Sequence, residues 1–213
     1  MMEDQKKERL TGYNLVNLEE LVLQVGEERT KEILSDFCCP MNSDVEYFLR
    51  HKAIEFSKQR LAQTQLIFTS YKGEVALIGY FTLANKEIVI LKGNKLLTAK
   101  WRRRVNRFAV RSELDGGYHI PAPLIGQLGK NFKDGRNALI TGDELLKLAT
   151  DKVRETQRIL GGKFVYLECE DKPQLLNFYR DNGFVDFGRR DLERDERDRQ
   201  SGNYLVQLLK YME

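Results

Sequence analysis

The sequence predicts a mixed α/β domain, and three of its features point there. Two β-branched, aromatic runs joined by Lys72-Gly73, Thr64 to Tyr71 (TQLIFTSY) and Val75 to Leu83 (VALIGYFTL), read as an antiparallel hairpin. A Gly-bearing apolar strand, Ile120 to Phe132, then a capped helix to Leu160, then Phe164 to Cys169 (FVYLEC), form a strand–helix–strand unit. Such a unit pairs its strands in parallel and crosses over right-handed. Two further runs, Phe184 to Phe187 and Tyr204 to Tyr211, close the sheet.

The remaining elements follow from periodicity and punctuation. Leu18 to Asp36 reads as a helix with Leu18, Leu21, Val22, Val25, Ile33 and Leu34 as its apolar positions, although Gly26 lies inside it. Ser43-Asp44-Val45-Glu46 has the form of a capping box and opens a helix to about Arg60, with Val45, Phe48, Leu49, Ala53 and Phe56 inward. Glu87 to Leu91 (EIVIL) is a candidate extension of the sheet. Thr141-Gly142-Asp143-Glu144 is a second capping box, and Gly161-Gly162 ends the helix it starts. Pro173 begins a short helix that Gly183 stops. Gly126 and Gly129 inside a strand mark a bulge or the close approach of a ligand to the backbone.

Composition narrows the class. At 213 residues, with 41% hydrophobic and 31% charged residues, the chain suits one large domain or a domain with an appendage, and it is too apolar to be disordered. It holds no apolar run of about 18 residues, so no membrane-spanning helix is expected. Met1 to Arg9 is charged and lacks the apolar core of a secretory signal. Cys38, Cys39 and Cys169 read as buried small apolar residues, and a disulfide framework or a zinc site is not expected. A reducing, cytoplasmic setting is the expectation. His51 and His119 lie far apart in sequence, a poor start for a His-based triad; His51 reads as surface, and His119 precedes the Gly-bearing strand.

The net charge of +3 is uninformative, but its distribution is not. Lys92, Lys95, Lys100, Arg102, Arg103, Arg104, Arg107 and Arg111 fall in a stretch to Ser112 that has no Asp or Glu, whereas Arg189 to Arg199 (RRDLERDERDR) alternates in sign. The first segment is either a solvated face or a patch that attracts polyanions by counterion release. Its Trp101 adds a ring on which a base can stack.

From the residues alone, the loop Lys133 to Asp143 is a candidate anion site. It leads into a helix N-terminus, with its unpaired N–H groups and positive dipole end, and carries Lys133 and Arg136. It lacks both a Walker lysine and a GxGxxG pattern. Glu168, Glu170 and Asp171 end a strand, where they either deprotonate an incoming group or merely solvate a loop.

Asn177-Phe178-Tyr179-Arg180-Asp181-Asn182-Gly183-Phe184 carries a resemblance. A helix bearing FY-x-x-x-GF, after a strand that ends in acidic residues, resembles the C-terminal half of the GNAT superfamily of acetyl-CoA-dependent N-acetyltransferases. Phe37-Cys38-Cys39, Ser43 to Leu49 (SDVEYFL), TQLIF and GYFTLA are similar to a subgroup of bacterial toxin acetyltransferases. That subgroup acetylates the amine of aminoacyl-tRNA and is restrained by a ribbon-helix-helix antitoxin. The resemblance spans about Phe37 to Tyr211. It implies a largely antiparallel sheet with a parallel central pair splayed into a V and helices on both faces. It also implies a GNAT-like domain over 37–213 with a basic insertion at about 92–117, and an N-terminal helical extension, 1–36, packing on it.

The resemblance further implies acetyl-CoA as co-substrate. Its pantetheine arm would pair with backbone groups of Gln127, Leu128, Gly129 and Lys130, and its pyrophosphate would sit on amides of Asn137, Ala138, Leu139, Ile140, Thr141, Gly142 and Asp143 beside Arg136. The family's loop pattern is Q/R-x-x-G-x-G/A; here Asn137 takes the first position and Ile140 the middle glycine, while Gly142 survives. Tyr179 would protonate the departing thiolate as the amine attacks the thioester directly, so Cys169 need not be a nucleophile. The competing reading of Tyr179 is an ordinary half-buried aromatic. The amine acceptor is the amine of an aminoacyl-tRNA held through Lys92 to Arg111, a protein lysine or a small amine. A degenerate fold that only binds nucleic acid or protein is the competing reading. A ribbon-helix-helix antitoxin and a homodimer complete the expected partners.

Overall fold

The computed structural model describes residues 12–194, 196–200 and 202–213, so Met1 to Arg9 and the start of the expected 1–36 extension lie outside the described residues. Among those described, one sheet runs in the order β1 (Asn14–Asn17), β2 (Gln63–Tyr71), β3 (Glu74–Leu91), β5 (Gly117–Lys130), β6 (Phe164–Cys169), β8 (Tyr204–Tyr211), β7 (Val185–Asp191). The short β4 (Val110–Arg111) pairs with β5 off that path. The registered pairings are antiparallel except β5 with β6, which is parallel at Leu124 with Tyr166 and Ile125 with Leu167. The strand–helix–strand unit thus pairs as its sequence predicts, joined by a long helix.

Two compact units make up the chain: one reaches to Leu83 and includes Gln127–Ala149, and the other combines Ala84–Gly126 with Thr150–Glu213. The first is built around Leu18, Leu21, Leu34, Phe37, Val45, Phe48, Leu49, Leu66 and Tyr80. Each such side chain is worth about 1.5–3 kcal/mol on full burial. The expected single helix Leu18–Asp36 is two, α1 (Leu18–Val25) and α2 (Glu27–Ser35). Gly26 breaks them because it takes φ +82°, a conformation other residues rarely adopt. Ser43 does not cap α3 (Ser43–Tyr47). Asn42 does: its side-chain oxygen accepts from the amides of Asp44 (3.0 Å) and Val45 (3.2 Å). Glu46, expected to close a box, instead accepts from the Cys39 amide at 2.7 Å. A π-helical turn, Phe48–Lys52, separates α3 from α4 (Ala53–Lys58), with the Ala53 amide donating to Phe48 O. Glu87 to Leu91 is no separate strand but the end of β3.

The second unit centres on Ile88, Ile90, Leu97, Val105, Ile120, Phe164, Tyr166, Phe187 and Leu209. The basic stretch contains a helix the sequence reading did not place, α5 (Ala99–Phe108), capped by Thr98. Trp101, Val105 and Phe108, spaced as one helical face, pack against this core. The second capping box forms as predicted: Thr141 N donates to Glu144 Oε2 (2.8 Å), Glu144 N donates to Thr141 Oγ1 (3.1 Å), and α6 (Gly142–Leu160) follows. Helix α7 (Pro173–Asp181) starts at Pro173, and Gly183, at φ +82°, stops it. β7 begins at Val185 and runs to Asp191, past the predicted Phe187.

Candidate active site

In the first unit, the end of β5 and the loop after it are fixed by one side chain, Asn131. It is fully buried and makes four hydrogen bonds. Its oxygen accepts from the amides of Cys38 and Lys133, both at 3.0 Å, and its nitrogen donates to Asp36 O (3.0 Å) and Leu77 O (2.8 Å). Asp134 and Gly135 then take left-handed backbone conformations, φ +54° and +77°, and turn the chain into a 3-10 turn (Lys133–Ala138). Tyr71 Oη donates to Asp134 O and Tyr13 Oη to Leu139 O, each at 2.9 Å, and Lys130 Nζ donates to Asn137 O at 3.1 Å. The loop is therefore ordered by its carbonyls.

This order constrains the predicted phosphate seat. The Leu139 amide already donates to Arg136 O (3.0 Å) and the Thr141 amide to Glu144. Ile140, in place of the family's middle glycine, is a core residue only 1% exposed. Lys133 and Arg136, expected to be available to an anion, both pair with the Asp36 carboxylate. Partial burial acts to raise the Asp36 pKa, but the bonds from Lys133 and Arg136 prevail and hold it below the usual range. An incoming phosphate therefore competes with an internal carboxylate.

β5 itself carries the predicted Gln127 to Lys130. Its ladder with β6 ends at Ile125–Leu167, and the strand continues to Lys130 without further registered pairs to β6 among the described residues. The two glycines have different roles. A Cβ on Gly129 would collide with Val45 Cγ1 and stand 3.2 Å from Phe37 Cζ, so this glycine makes room for the protein's own side chains rather than for a ligand. A Cβ on Gly126 would meet nothing nearer than Leu124, at 3.8 Å. Gln127 Nε2 donates to Asp44 Oδ2 (3.0 Å) from β5, and Tyr80 Oη donates to Val45 O (2.6 Å) from β3, so both strands seat α3.

In the second unit, Tyr179 lies on α7 with its ring buried against Phe178 (centroids 5.0 Å apart) and Phe184 (5.9 Å). Its hydroxyl has no hydrogen-bond partner among the described residues. Burial, with a smaller contribution from Cys169, raises its pKa above the usual phenol value, so it stays protonated at neutral pH. Burial also pushes the Cys169 thiol up to about 12, which leaves it a poor nucleophile. The three acidic groups ending β6 are all engaged. Glu168 binds Arg190 (2.7 Å) and Gln207 (2.8 Å), Glu170 pairs with Lys172 (2.6 Å), and Asp171 accepts from Tyr204. His119 bridges Glu87 and Asp115, at 2.9 Å each; bonds to Glu87 first and Asp115 second raise its pKa. His51 is exposed on the π-helical turn.

The basic stretch divides in two. Trp101 is half-buried against Phe164, so part of the ring on which a base is expected to stack is taken up by the core. Arg104 lies over Tyr211 (4.3 Å) and Trp101 (5.5 Å), near Glu213. Lys92, Lys95, Lys100, Arg102, Arg103, Arg107 and Arg111 are exposed and form no ion pair with a carboxylate among the described residues. Lys100, Arg103 and Arg107 lie on the α5 face opposite Trp101, Val105 and Phe108.

In sheet order, in the short parallel pair and in the capped helix between its strands, the chain has a fold similar to that of the solved toxins AtaT and KacT. Similar solved structures include a Tyr-to-Phe mutant of KacT, at 12% identity over 92% of this chain and 94% of that one, with a TM-score of 0.57. Another is a Tyr-to-Phe mutant of AtaT bound to the C-terminus of its antitoxin AtaR and acetyl-CoA, at 14% identity over 94% and 93%, TM-score 0.55. AtaT complexed with acetyl-methionyl-tRNAfMet matches at 15% identity over 91% and 93%, TM-score 0.55. No protein-family model matches the chain, and no curated protein is significantly similar to it in sequence. Among the described residues, no helix is long and apolar enough to cross a membrane.

Proposed function

We propose that the protein transfers an acetyl group from acetyl-CoA to a primary amine, and that this amine is carried by an aminoacyl-tRNA. The observation that carries the reading is the end of β5: past Ile125 the strand leaves its parallel ladder and runs through Gly126 to Lys130 into a tethered loop and a capped helix. Backbone groups of Gln127, Leu128, Gly129 and Lys130 take the pantetheine amides. The seat for the pyrophosphate is the start of α6 near Gly142 and Asp143, within the loop Asn137 to Ile140, with Lys133 and Arg136 recruited once they part from Asp36. The amine nitrogen attacks the thioester carbonyl, whose oxygen a strand N–H polarises. The C–S bond then breaks, the Tyr179 hydroxyl gives its proton to the thiolate, and the nitrogen sheds its extra proton to solvent, from which the phenolate is reprotonated.

Acetyl-CoA is expected to raise the melting temperature of the protein, and desulfo or adenine-only analogues to do so less. Absence of any shift, with no heat of binding by calorimetry, sinks the enzymatic reading and favours a fold that only binds nucleic acid or protein. The tRNA acceptor is supported by the Lys100, Arg103 and Arg107 stripe, which suits a polyanion. Changing these three residues to Glu is expected to abolish tRNA retention on a filter and flatten its salt dependence, while acetyl-CoA binding persists. Retention equal to wild type removes the stripe from the reading. Labelling of peptides or polyamines in place of charged tRNA assigns the acceptor to those classes instead. A ribbon-helix-helix antitoxin and self-association belong to the same proposal, in line with the AtaR complex of the structural neighbour.

A further inference from the structure

A second phenol, besides Tyr179, is buried with its hydroxyl unused. Tyr166 on β6 is 5% exposed, and its ring meets that of Phe187 edge-on, with centroids 6.3 Å apart. Its hydroxyl has no hydrogen-bond partner among the described residues. The oxygen is not sealed in, however: among the described residues, the fully enclosed side-chain atoms without a partner are Arg50 Nε, Ser57 Oγ and Arg136 Nε. A buried phenol in that state calls for a partner from solvent or from a ligand. Side chains alternate along a strand, so Tyr166 and Glu168 share one face of β6 while Leu167 and Cys169 share the other. Tyr179 lies within electrostatic reach of Cys169, which puts the two phenols on opposite faces of this strand. Tyr166 is on the face that α5 covers, in one cluster with Val105, Trp101 and Phe108. It also stands where the parallel ladder ends, since Leu124 pairs with Tyr166 and Ile125 with Leu167. Gly126, two residues past Leu124, is exposed, and a Cβ there would meet only Leu124. Glu168, two residues past Tyr166, is fixed by Arg190 (2.7 Å) and Gln207 (2.8 Å). Burial first, and then the charge of Glu168, push the Tyr166 phenol up to about 12 against a smaller opposing effect of Arg190, so it keeps its proton at neutral pH. All these groups belong to the second unit.

We infer that the Tyr166 hydroxyl is a binding group for the acceptor amine: its oxygen accepts one N–H of the incoming nitrogen on the α5 side of β6, while Tyr179 serves the departing thiolate on the other side. The inference rests on the acetyl transfer proposed above. An N–H given to the phenol oxygen leaves the nitrogen lone pair free to attack the thioester carbon. Positive charge develops on that nitrogen as it attacks, and the immobile carboxylate of Glu168 favours this charge without giving up either of its bonds. Because α5 covers the same side of the sheet, a nucleic acid held by its outer stripe brings an aminoacyl amine to the side of Tyr166. The hydroxyl recognises the amine itself, so it acts on a small aminoacyl amine as it does on charged tRNA.

The test is steady-state kinetics of Tyr166→Phe at saturating acetyl-CoA with two acceptors, charged tRNA and the corresponding aminoacyl amide without nucleic acid. Calorimetry with acetyl-CoA and filter binding of uncharged tRNA accompany it. The variant keeps the ring and its contact with Phe187, and it orphans no described group. KM for both acceptors is expected to rise about tenfold, the loss of one hydrogen bond. Acetyl-CoA affinity, retention of uncharged tRNA and the melting temperature stay as in wild type. An unchanged KM for both acceptors overturns the assignment. A rise with tRNA alone also overturns it, because the hydroxyl then serves the nucleic acid, and so does a matching loss of acetyl-CoA affinity. If the wild-type protein acetylates neither acceptor, the proposed function falls by itself. Tyr166 is then judged by NMR titration with the aminoacyl amide: weaker binding to Tyr166→Phe than to wild type supports the site, and equal binding, or none to wild type, overturns it.

Discussion

Tyr179→Phe is expected to lower kcat about a hundredfold or more, the range general acid catalysis supplies. Acetyl-CoA affinity and melting temperature are expected to match wild type. The reason is geometric. The Tyr179 hydroxyl bonds to no described residue, so its removal orphans nothing, and the buried ring keeps its contacts with Phe178 and Phe184. The pH profile follows from the same burial. A proton donor acts only while protonated, and a phenol raised above its ordinary value near 10 holds its proton through neutral pH and beyond. No alkaline loss of kcat below about pH 10 is therefore assigned to Tyr179. Burst and steady-state assays with the Phe variant decide it: turnover equal to wild type removes Tyr179 from the chemistry.

Asn131→Ala is expected to cost about 3–5 kcal/mol of stability, at the upper end for single substitutions, because several buried polar groups lose their partners together. The Cys38 and Lys133 amides and the Asp36 and Leu77 carbonyls all bond to this one side chain. Asn131→Asp does not rescue the loss. A carboxylate still accepts from the two amides but cannot donate to the two carbonyls, and it adds a buried charge. Chemical denaturation measures the loss directly. A cost below about 1 kcal/mol would mean that water or relaxation satisfies those groups and that Asn131 is not the anchor of the loop. Because the anchored loop leads into the proposed phosphate seat, the surviving folded fraction of Asn131→Ala is also expected to bind acetyl-CoA more weakly.

The features legible in the sequence were those whose partners lie close along the chain. The Thr141–Glu144 box needs residues three apart, and it forms as read. Pro173 and Gly183 bound their helix by backbone conformation alone, and the parallel β5–β6 pair follows from the crossover between its strands. Helix α5 was also within reach, since Trp101, Val105 and Phe108 share a face and Thr98 precedes them; the density of arginines hid that period. Asn131 was not within reach. Three of its four partners lie 93, 95 and 54 residues away, and no local pattern sets its burial apart from that of any other asparagine. The Asp36 pairing with Lys133 and Arg136 escaped for the same reason, and it changed an open anion site into one already neutralised.

The order of strands and helices, their caps and stops, and the placement of a phenol after FY-type spacing were determined by the sequence itself. Short-range hydrogen bonding and backbone conformation act over a few residues and leave a readable period. Which cations stay unpaired, which ring is partly taken up by the core and which amides are already bonded were decided only by the tertiary structure. Those outcomes depend on which distant groups meet at a buried site, where an unpaired charge or amide is costly, and neighbours along the chain carry no record of that meeting.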